Sequence, residues 1–327
     1  MNYSQRPKKS NTYVQFFLIL IVYFCCVVKI WNNQQEATGL WVDNLFYFFY
    51  AKDYIYKLIT SILLSLNAFS MLLFAHRFSL LELRNYYPAL LYLLFSFVFA
   101  QTLTLWGMIV IFFILWGILP ILLGLKEENI LANTFIFGLY CGIFSLIYAP
   151  LLLLLPYIYI VLFKERFFNI RAFILPLIGT GLVYGYVFAG FYLLNKTDKI
   201  PDFFNIIKTQ IAGIQFFTME NTEPIFVFFL AVSVLLGGIA FFRIWRKTLS
   251  IVINRRKKYV ILLIISFFQF AFLPFFHAAQ GLFAQIAIVL LTILLFLSLP
   301  YVKKIIVYKI IFCTLFVLAL TNFLLKL

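Results

Sequence analysis

The sequence is poor in charged residues, and fewer of these are acidic than basic. Only 11% of its 327 residues are charged, with 11 Asp and Glu against 26 Lys and Arg, whereas 65% are hydrophobic. Soluble domains carry about a quarter charged and about half apolar residues. A water-soluble fold of this length leaves much of its surface exposed, so it could not conceal this much apolar side chain. The sequence therefore predicts an integral membrane protein and excludes a soluble globular fold.

The motifs of soluble enzymes are missing as well. There is no Gly-rich phosphate loop, no H-E-x-x-H helix and no nucleophile elbow. The two histidines, His76 and His277, fall on opposite sides of the membrane in the threading given below. The four cysteines lie within apolar runs and form no C-x-x-C pair. The sequence thus predicts neither a metal site nor a cofactor.

Apolar runs divided by charged residues predict an all-α membrane protein with about 11 transmembrane helices. A span needs about 20 mostly apolar residues, because each residue rises about 1.5 Å and the hydrocarbon layer is about 30 Å thick. Pro150 interrupts the uncharged run 129–163, which is either two spans or a kinked re-entrant pair. The predicted spans are 14–31, 58–75, 87–101, 103–123, 130–147, 151–163, 172–194, 225–242, 259–276, 282–299 and 305–325.

Basic residues are distributed unevenly along this map. With the N-terminus in the cytoplasm, every arginine falls in a predicted inner segment. This bias predicts an N-in, C-out threading in the cell inner (cytoplasmic) membrane. The net charge of +15 then has a topological origin and does not predict a nucleic-acid partner. The map is one polytopic membrane domain, 1–327, with a cytoplasmic tail at 1–13, outer segments at 32–57 and 195–224, and a basic cytoplasmic loop at 243–258.

Two outer segments are too long to be simple turns. Residues 32–57 are rich in Phe and Tyr, and residues 201–223 place Phe203, Ile207 and Ile211 four apart with polar residues between them. Such spacing predicts interfacial amphipathic helices that lie along the outer membrane surface. Since the inner loops are short by comparison, a functional site is expected on the outer face.

Ionisable side chains are missing from the middle of the predicted spans, because every Asp and Glu falls outside them. Ion-coupled transporters and proton pumps place such groups at mid-membrane, so the sequence disfavours them. Asn67 is the most central strongly polar residue, and its expected role is an interhelical hydrogen bond. The pair Gly181 and Gly185, spaced as G-x-x-x-G in an apolar helix, predicts a close-packing face.

The order of features resembles a known superfamily. An outer segment with an acid and aromatic residues, WVDNLFYFFYAKD at 41–53, follows the first span, and the second span ends in LFAHRFSLLELR at 73–84. The helix pair GLYCGIFSLIYAPLLLLLPYIYIVLF follows at 138–163. Over roughly residues 10–195 this order resembles the core of the polytopic GT-C glycosyltransferases. The stretch FFNIRAFILPLIGTGLVYGY is similar to an uncharacterised bacterial family of polytopic inner-membrane proteins, a domain of unknown function, and this second resemblance is the closer.

The GT-C resemblance implies an enzyme that moves sugars from polyprenyl-phosphate donors on the outer face. It implies Asp43 as the catalytic base, with His277 and Lys57 binding the lipid phosphate. The partner would be a membrane lipid that carries the sugar. The sequence departs from the superfamily where Asn44 follows Asp43 in place of a second acid. Two other interpretations stay open: a non-catalytic protein that assists assembly or export of an envelope component, and, less favoured, a transporter of a neutral or lipid solute.

Overall fold

The computed structural model describes residues 12–32, 53–78, 86–98, 104–167, 169–212, 235, 237–246, 253–272 and 280–298. Within these ranges the chain consists of helices and short turns, with no strand, so the predicted all-α class is confirmed. In chain order the described helices are α1 (Thr12–Asn32), α2 (Asp53–Arg77), α3 (Tyr87–Val98), α4 (Leu105–Leu123), α5 (Ile130–Ile147), α6 (Leu155–Lys164), α7 (Ile170–Leu193), α8 (Ile200–Ala212), α9 (237–246), α10 (Ile253–Phe272) and α11 (Gln280–Ser298).

Four of the described helices, α2, α4, α5 and α7, are long and apolar enough to cross a membrane. Shorter apolar stretches occur at Phe16–Val28, Tyr87–Phe97, Ala149–Lys164 and Gln285–Leu297. The chain is therefore a helical protein with the composition of a multi-pass membrane protein. The count of about eleven spans and the N-in, C-out threading stay predictions. The predicted span 305–325 and the first ten residues of 225–242 lie outside the described residues.

The bundle is built around α3, whose sequence YPALLYLLFSFV is apolar on every side. Its residues 88–97 are all buried, and it packs against α1, α2 and α11. Helix α11 is equally enclosed, with residues 285–297 buried. Helices that are hydrophobic all round are found in such central positions. The apolar side chains left exposed on α2 and α7 are those expected to face lipid.

Helices α5 and α7 run parallel and in close contact. Successive residues of α5 contact successive residues of α7 in the pairs Gly138–Pro176, Gly142–Val183 and Ser145–Tyr184. Because residue numbers rise together along both helices, the chain must return between them. The return consists of a 3-10 segment, Ala149–Leu154, followed by α6, and it begins at the extended residue Tyr148.

The return segment is almost as long as α5. Six residues of 3-10 helix and ten of α-helix span about 27 Å, and the 18 residues of α5 span about the same length. The 3-10 segment makes this possible, because its rise per residue is larger. The run 129–163 therefore forms an outgoing and a returning segment of about the same length, and the choice between two spans and a re-entrant pair stays a prediction.

Two details of packing and local structure differ from the sequence prediction in the described part of the chain. A Cβ atom placed on Gly181 or Gly185 would meet no described residue within 4 Å, whereas one on Gly179 would lie 2.5 Å from the carbonyl oxygen of Phe135. The close-packing face of α7 thus contains Gly179 and not the G-x-x-x-G pair. The basic segment 243–258 is not one continuous loop, because 243–246 belongs to α9 and 253–258 to the first turns of α10.

Candidate functional site

Of the three residues proposed for the site, the structure describes Lys57. Asp43 and His277 lie outside the described residues, in the connections 33–52 and 273–279. Lys57 was expected in an outer segment, but it belongs to the second turn of α2, because that helix begins at Asp53. The site is therefore described outward from Lys57.

The Lys57 ammonium group binds the end of the first helix. Its Nζ donates a hydrogen bond of 3.1 Å to the carbonyl oxygen of Trp31, in the last turn of α1, and the residue is only 9% exposed. The last carbonyls of a helix lack intrahelical partners and carry partial negative charge, so a cation is favoured there. The Trp31 ring meets Tyr54 edge to face, with ring centroids 5.1 Å apart. These contacts hold the amine at the junction of α1 and α2.

Two more helices begin at the same junction. The backbone N–H of Leu105, the first residue of α4, donates to the hydroxyl of Tyr56 at 3.0 Å. The Thr104 hydroxyl caps the same helix by accepting from the backbone N–H of Gly107 at 3.2 Å. The carboxamide of Gln285 in α11 occupies the space beside Gly107 that a Cβ would need. The ends of α1, α2, α4 and α11 are thereby gathered around Lys57; we call this region the Lys57 end of the bundle.

The connections that carry Asp43 and His277 join the bundle at this end. Residues 33–52 leave α1 just after Trp31 and enter α2 just before Lys57, while residues 273–279 precede α11. Of the three predicted site residues, Lys57 is the one that the structure describes at this end.

A surface helix completes the Lys57 end. Helix α8 packs against the 3-10 segment after Tyr148. The side-chain oxygen of Gln210 accepts a hydrogen bond of 3.0 Å from the backbone N–H of Ala149. Phe203 of α8 is buried, with its ring 6.2 Å from that of Tyr184. A helix is thus confirmed over Ile200–Ala212 of the predicted segment 201–223; its position at the membrane surface stays a prediction, and the remainder lies outside the described residues.

Further polar side chains lie deeper in the bundle, between α2, α3 and α4. The Nδ2 of Asn67 donates to the carbonyl oxygen of Met108 at 3.0 Å, so the predicted interhelical hydrogen bond is confirmed. Tyr92 lies beside Asn67 and Ser96, and its hydroxyl donates to the Met108 sulfur at 3.6 Å. The Oδ1 of Asn67 and the Oγ of Ser96 have no hydrogen-bond partner in the described part of the chain. The interior is therefore polar but uncharged at this depth.

Sequence reasoning missed several residues of this arrangement. Gln285 and Ser96 are each surrounded by apolar residues in the sequence. A single polar residue in an apolar helix indicates a polar contact inside the bundle, so both could have been found. Tyr56 gave no signal, because tyrosines are common at both membrane surfaces. Within the described ranges no three His, Cys, Asp or Glu side chains are grouped so that they could bind a metal ion.

No family model matches this chain, and no curated protein or solved structure is significantly similar to it. The two family resemblances seen in the sequence therefore stay hypotheses.

Proposed function

We propose that this chain is a GT-C-like membrane protein that acts on polyprenyl-phosphate-linked sugars at the outer face of the inner membrane. One observation carries the proposal: Lys57, a nearly buried lysine, is held by the last turn of α1 at the end of the bundle where α4 begins. A fixed ammonium group is a suitable partner for the phosphate of a lipid-linked donor.

In the proposed reaction each residue has a defined task. The Asp43 carboxylate accepts the proton of the acceptor hydroxyl as its oxygen bonds to the anomeric carbon of the sugar. The bond between that carbon and the polyprenyl phosphate breaks, and the phosphate leaves with the electron pair. Lys57 and His277 stabilise the charge on the departing phosphate.

The test is made in the native host, with surface glycans as the readout. Asp43→Ala and Lys57→Gln are expected to abolish or strongly reduce the glycan made by this protein. Lys57→Arg keeps the positive charge and should retain part of the activity. Lys196→Gln, at an exposed lysine just after α7, is the matched control and should leave the glycan unchanged.

Protein abundance in the membrane is measured for every variant. Unchanged glycans with Asp43→Ala at normal abundance would refute the catalytic role. If deletion of the gene still disturbed the envelope in that case, the protein would be a non-catalytic factor in envelope assembly or export.

A further inference from the structure

At the end of the bundle opposite Lys57, basic side chains from different helices converge on one aromatic ring. Lys258, in the second turn of α10, donates to the carbonyl oxygen of Phe78 at 3.5 Å, and its Nζ lies 5.3 Å from the Phe78 ring centroid. Arg77, the last residue of α2, places its Cζ 5.9 Å from the same centroid. We call Arg77 and Lys258 the cationic pair.

Glu165, which binds the residue next to Lys258, already has two basic partners. Glu165, directly after α6, binds Lys164 at 3.0 Å and Lys257 at 3.1 Å, and its side chain is 12% exposed. One carboxylate is thus shared by two ammonium groups. Neither Arg77 nor Lys258 forms an ion pair with a described acid, including Glu128 in the turn before α5. Among the described residues, the positive charge of the cationic pair therefore has no acidic partner.

An exposed apolar stripe on α2 leads to the cationic pair. Its members follow one face of the helix at intervals of three or four residues, and each is between 37% and 57% exposed: Ile62, Leu66, Phe69 and Leu73. Leu73 lies one turn before Arg77. The stripe extends from the basic end for about 17 Å, at about 1.5 Å per residue.

We propose that the cationic pair binds the phosphate of an anionic membrane phospholipid, with one acyl chain lying along the α2 stripe. The guanidinium of Arg77 matches phosphate geometry, since it can donate two parallel hydrogen bonds. The ammonium group of Lys258 donates one hydrogen bond to the carbonyl oxygen of Phe78 and has two further N–H groups. Basic clusters at the ends of membrane helices attract anionic lipids, and an adjoining apolar stripe suits the tail of the same molecule. This site is separate from the proposed catalytic end and does not depend on it.

The test uses the full-length protein in a neutral detergent. Binding of phosphatidylglycerol and of phosphatidylcholine with identical acyl chains is measured by native mass spectrometry and by the shift in melting temperature. Phosphatidylglycerol should bind and stabilise the protein, and phosphatidylcholine should do so far less. Glycerol phosphate, which has the headgroup without a tail, should have no comparable effect.

Variants locate the site. Arg77→Gln combined with Lys258→Gln is expected to weaken phosphatidylglycerol binding about 30-fold, and Arg77→Gln alone about 5-fold. Arg171→Gln is the matched control, because Arg171 is an exposed arginine at the start of α7 and lies outside the cationic pair. If the double variant does not fold, Arg77→Gln alone is used for the test. Arg77 is exposed, so its replacement is expected to leave the fold intact.

Three results would overturn the proposal. The first is equal affinity for the two lipids, which would show that the charge is not recognised. The second is an equal loss of binding in Arg171→Gln, which would show that the charge is not localised. The third is full stabilisation by glycerol phosphate, which would identify a soluble phosphate and not a lipid as the ligand.

Discussion

The hydroxyl of Thr180 lies 3.0 Å from the carbonyl oxygen of Gly138, on a neighbouring helix, and 2.9 Å from that of Pro176 on its own. Gly138 itself lies against the backbone of Pro176, where there is no room for a side chain. A backbone-to-backbone contact of this kind needs glycine, and in lipid it also provides the dispersion energy that joins helices. It fixes the register of the parallel pair α5 and α7.

Gly138→Leu is therefore expected to lower the free energy of unfolding by at least about 2 kcal/mol, because the new side chain would meet backbone that cannot move aside. The measurement is thermal unfolding in detergent. Gly181→Leu is the matched control, since no described residue lies within 4 Å of the added Cβ position and the change should affect stability little. Equal losses in the two variants would contradict the register described for this pair.

Asn67→Ala is expected to lower the free energy of unfolding by about 1 kcal/mol, the usual contribution of an interhelical hydrogen bond in a membrane protein. The bond to Met108 is lost, and a small cavity is left in a buried position. Ser65→Ala serves as the control, because Ser65 is exposed and bonds to its own helix at Ile62. A more stable Asn67→Ala protein would show that Asn67 is retained for a task other than packing.

Glu165 should make stability depend on pH. Partial burial opposes its ionisation, but hydrogen bonds from Lys164 and Lys257 and their positive charges outweigh burial and hold the pKa of Glu165 below its ordinary value. A lowered folded-state pKa means that the ionised group stabilises the fold above the unfolded pKa of about 4.3. This stabilisation is lost as the pH falls through the folded-state pKa.

The melting temperature of Glu165→Gln should therefore be lower than that of the wild type at pH 7, by an amount equivalent to about 1 kcal/mol or less. The difference should shrink as the pH is lowered from 5 toward 3, which a series of melting curves would check. Asp202→Asn, in the exposed pair with Lys199, should show almost no effect. A difference that grew on acidification would contradict the assigned direction.

Cysteine labelling tests the threading. In a background with the four native cysteines replaced by serine, Thr197→Cys, in the short turn before α8, and Glu128→Cys, in the turn before α5, place single thiols at opposite ends of the bundle. If the threading is N-in and C-out, an impermeant maleimide should label Thr197→Cys in intact spheroplasts. It should label Glu128→Cys only after the membrane has been permeabilised. Labelling in the reverse order would invert the threading and move the Lys57 end to the cytoplasm.

Much of the helix map could be predicted from the sequence. The bounds of α5 agree with the predicted span to the residue, and those of α1 and α7 agree within two residues. Charged residues lie close to most of these boundaries, because charge is costly in hydrocarbon, whereas Pro150 follows the end of α5. The start of α2 was missed by five residues, since Tyr54 to Lys57 read equally well as a surface segment and as a first turn.

The sequence does not show which of the glycines of α7 packs against another helix. Gly179 and Gly181 differ by 200° around the helix axis, at about 100° per residue, yet both lie in the same glycine-rich stretch. The neighbour that selects Gly179 is Phe135 of α5, and nothing local to α7 specifies it. For the same reason Gln285 was not recognised as a neighbour of Gly107, which is distant in sequence.

The sequence by itself determined that the chain is an apolar, all-helical protein and where most of its helices begin and end, because the cost of placing charge in hydrocarbon is a local property of each residue. Only the tertiary structure decided that Lys57 binds Trp31, that α5 and α7 are parallel, and that Arg77 and Lys258 share one aromatic ring. Contacts of that kind depend on which helix faces which, and in an almost uniformly apolar sequence many arrangements bury the helices equally well.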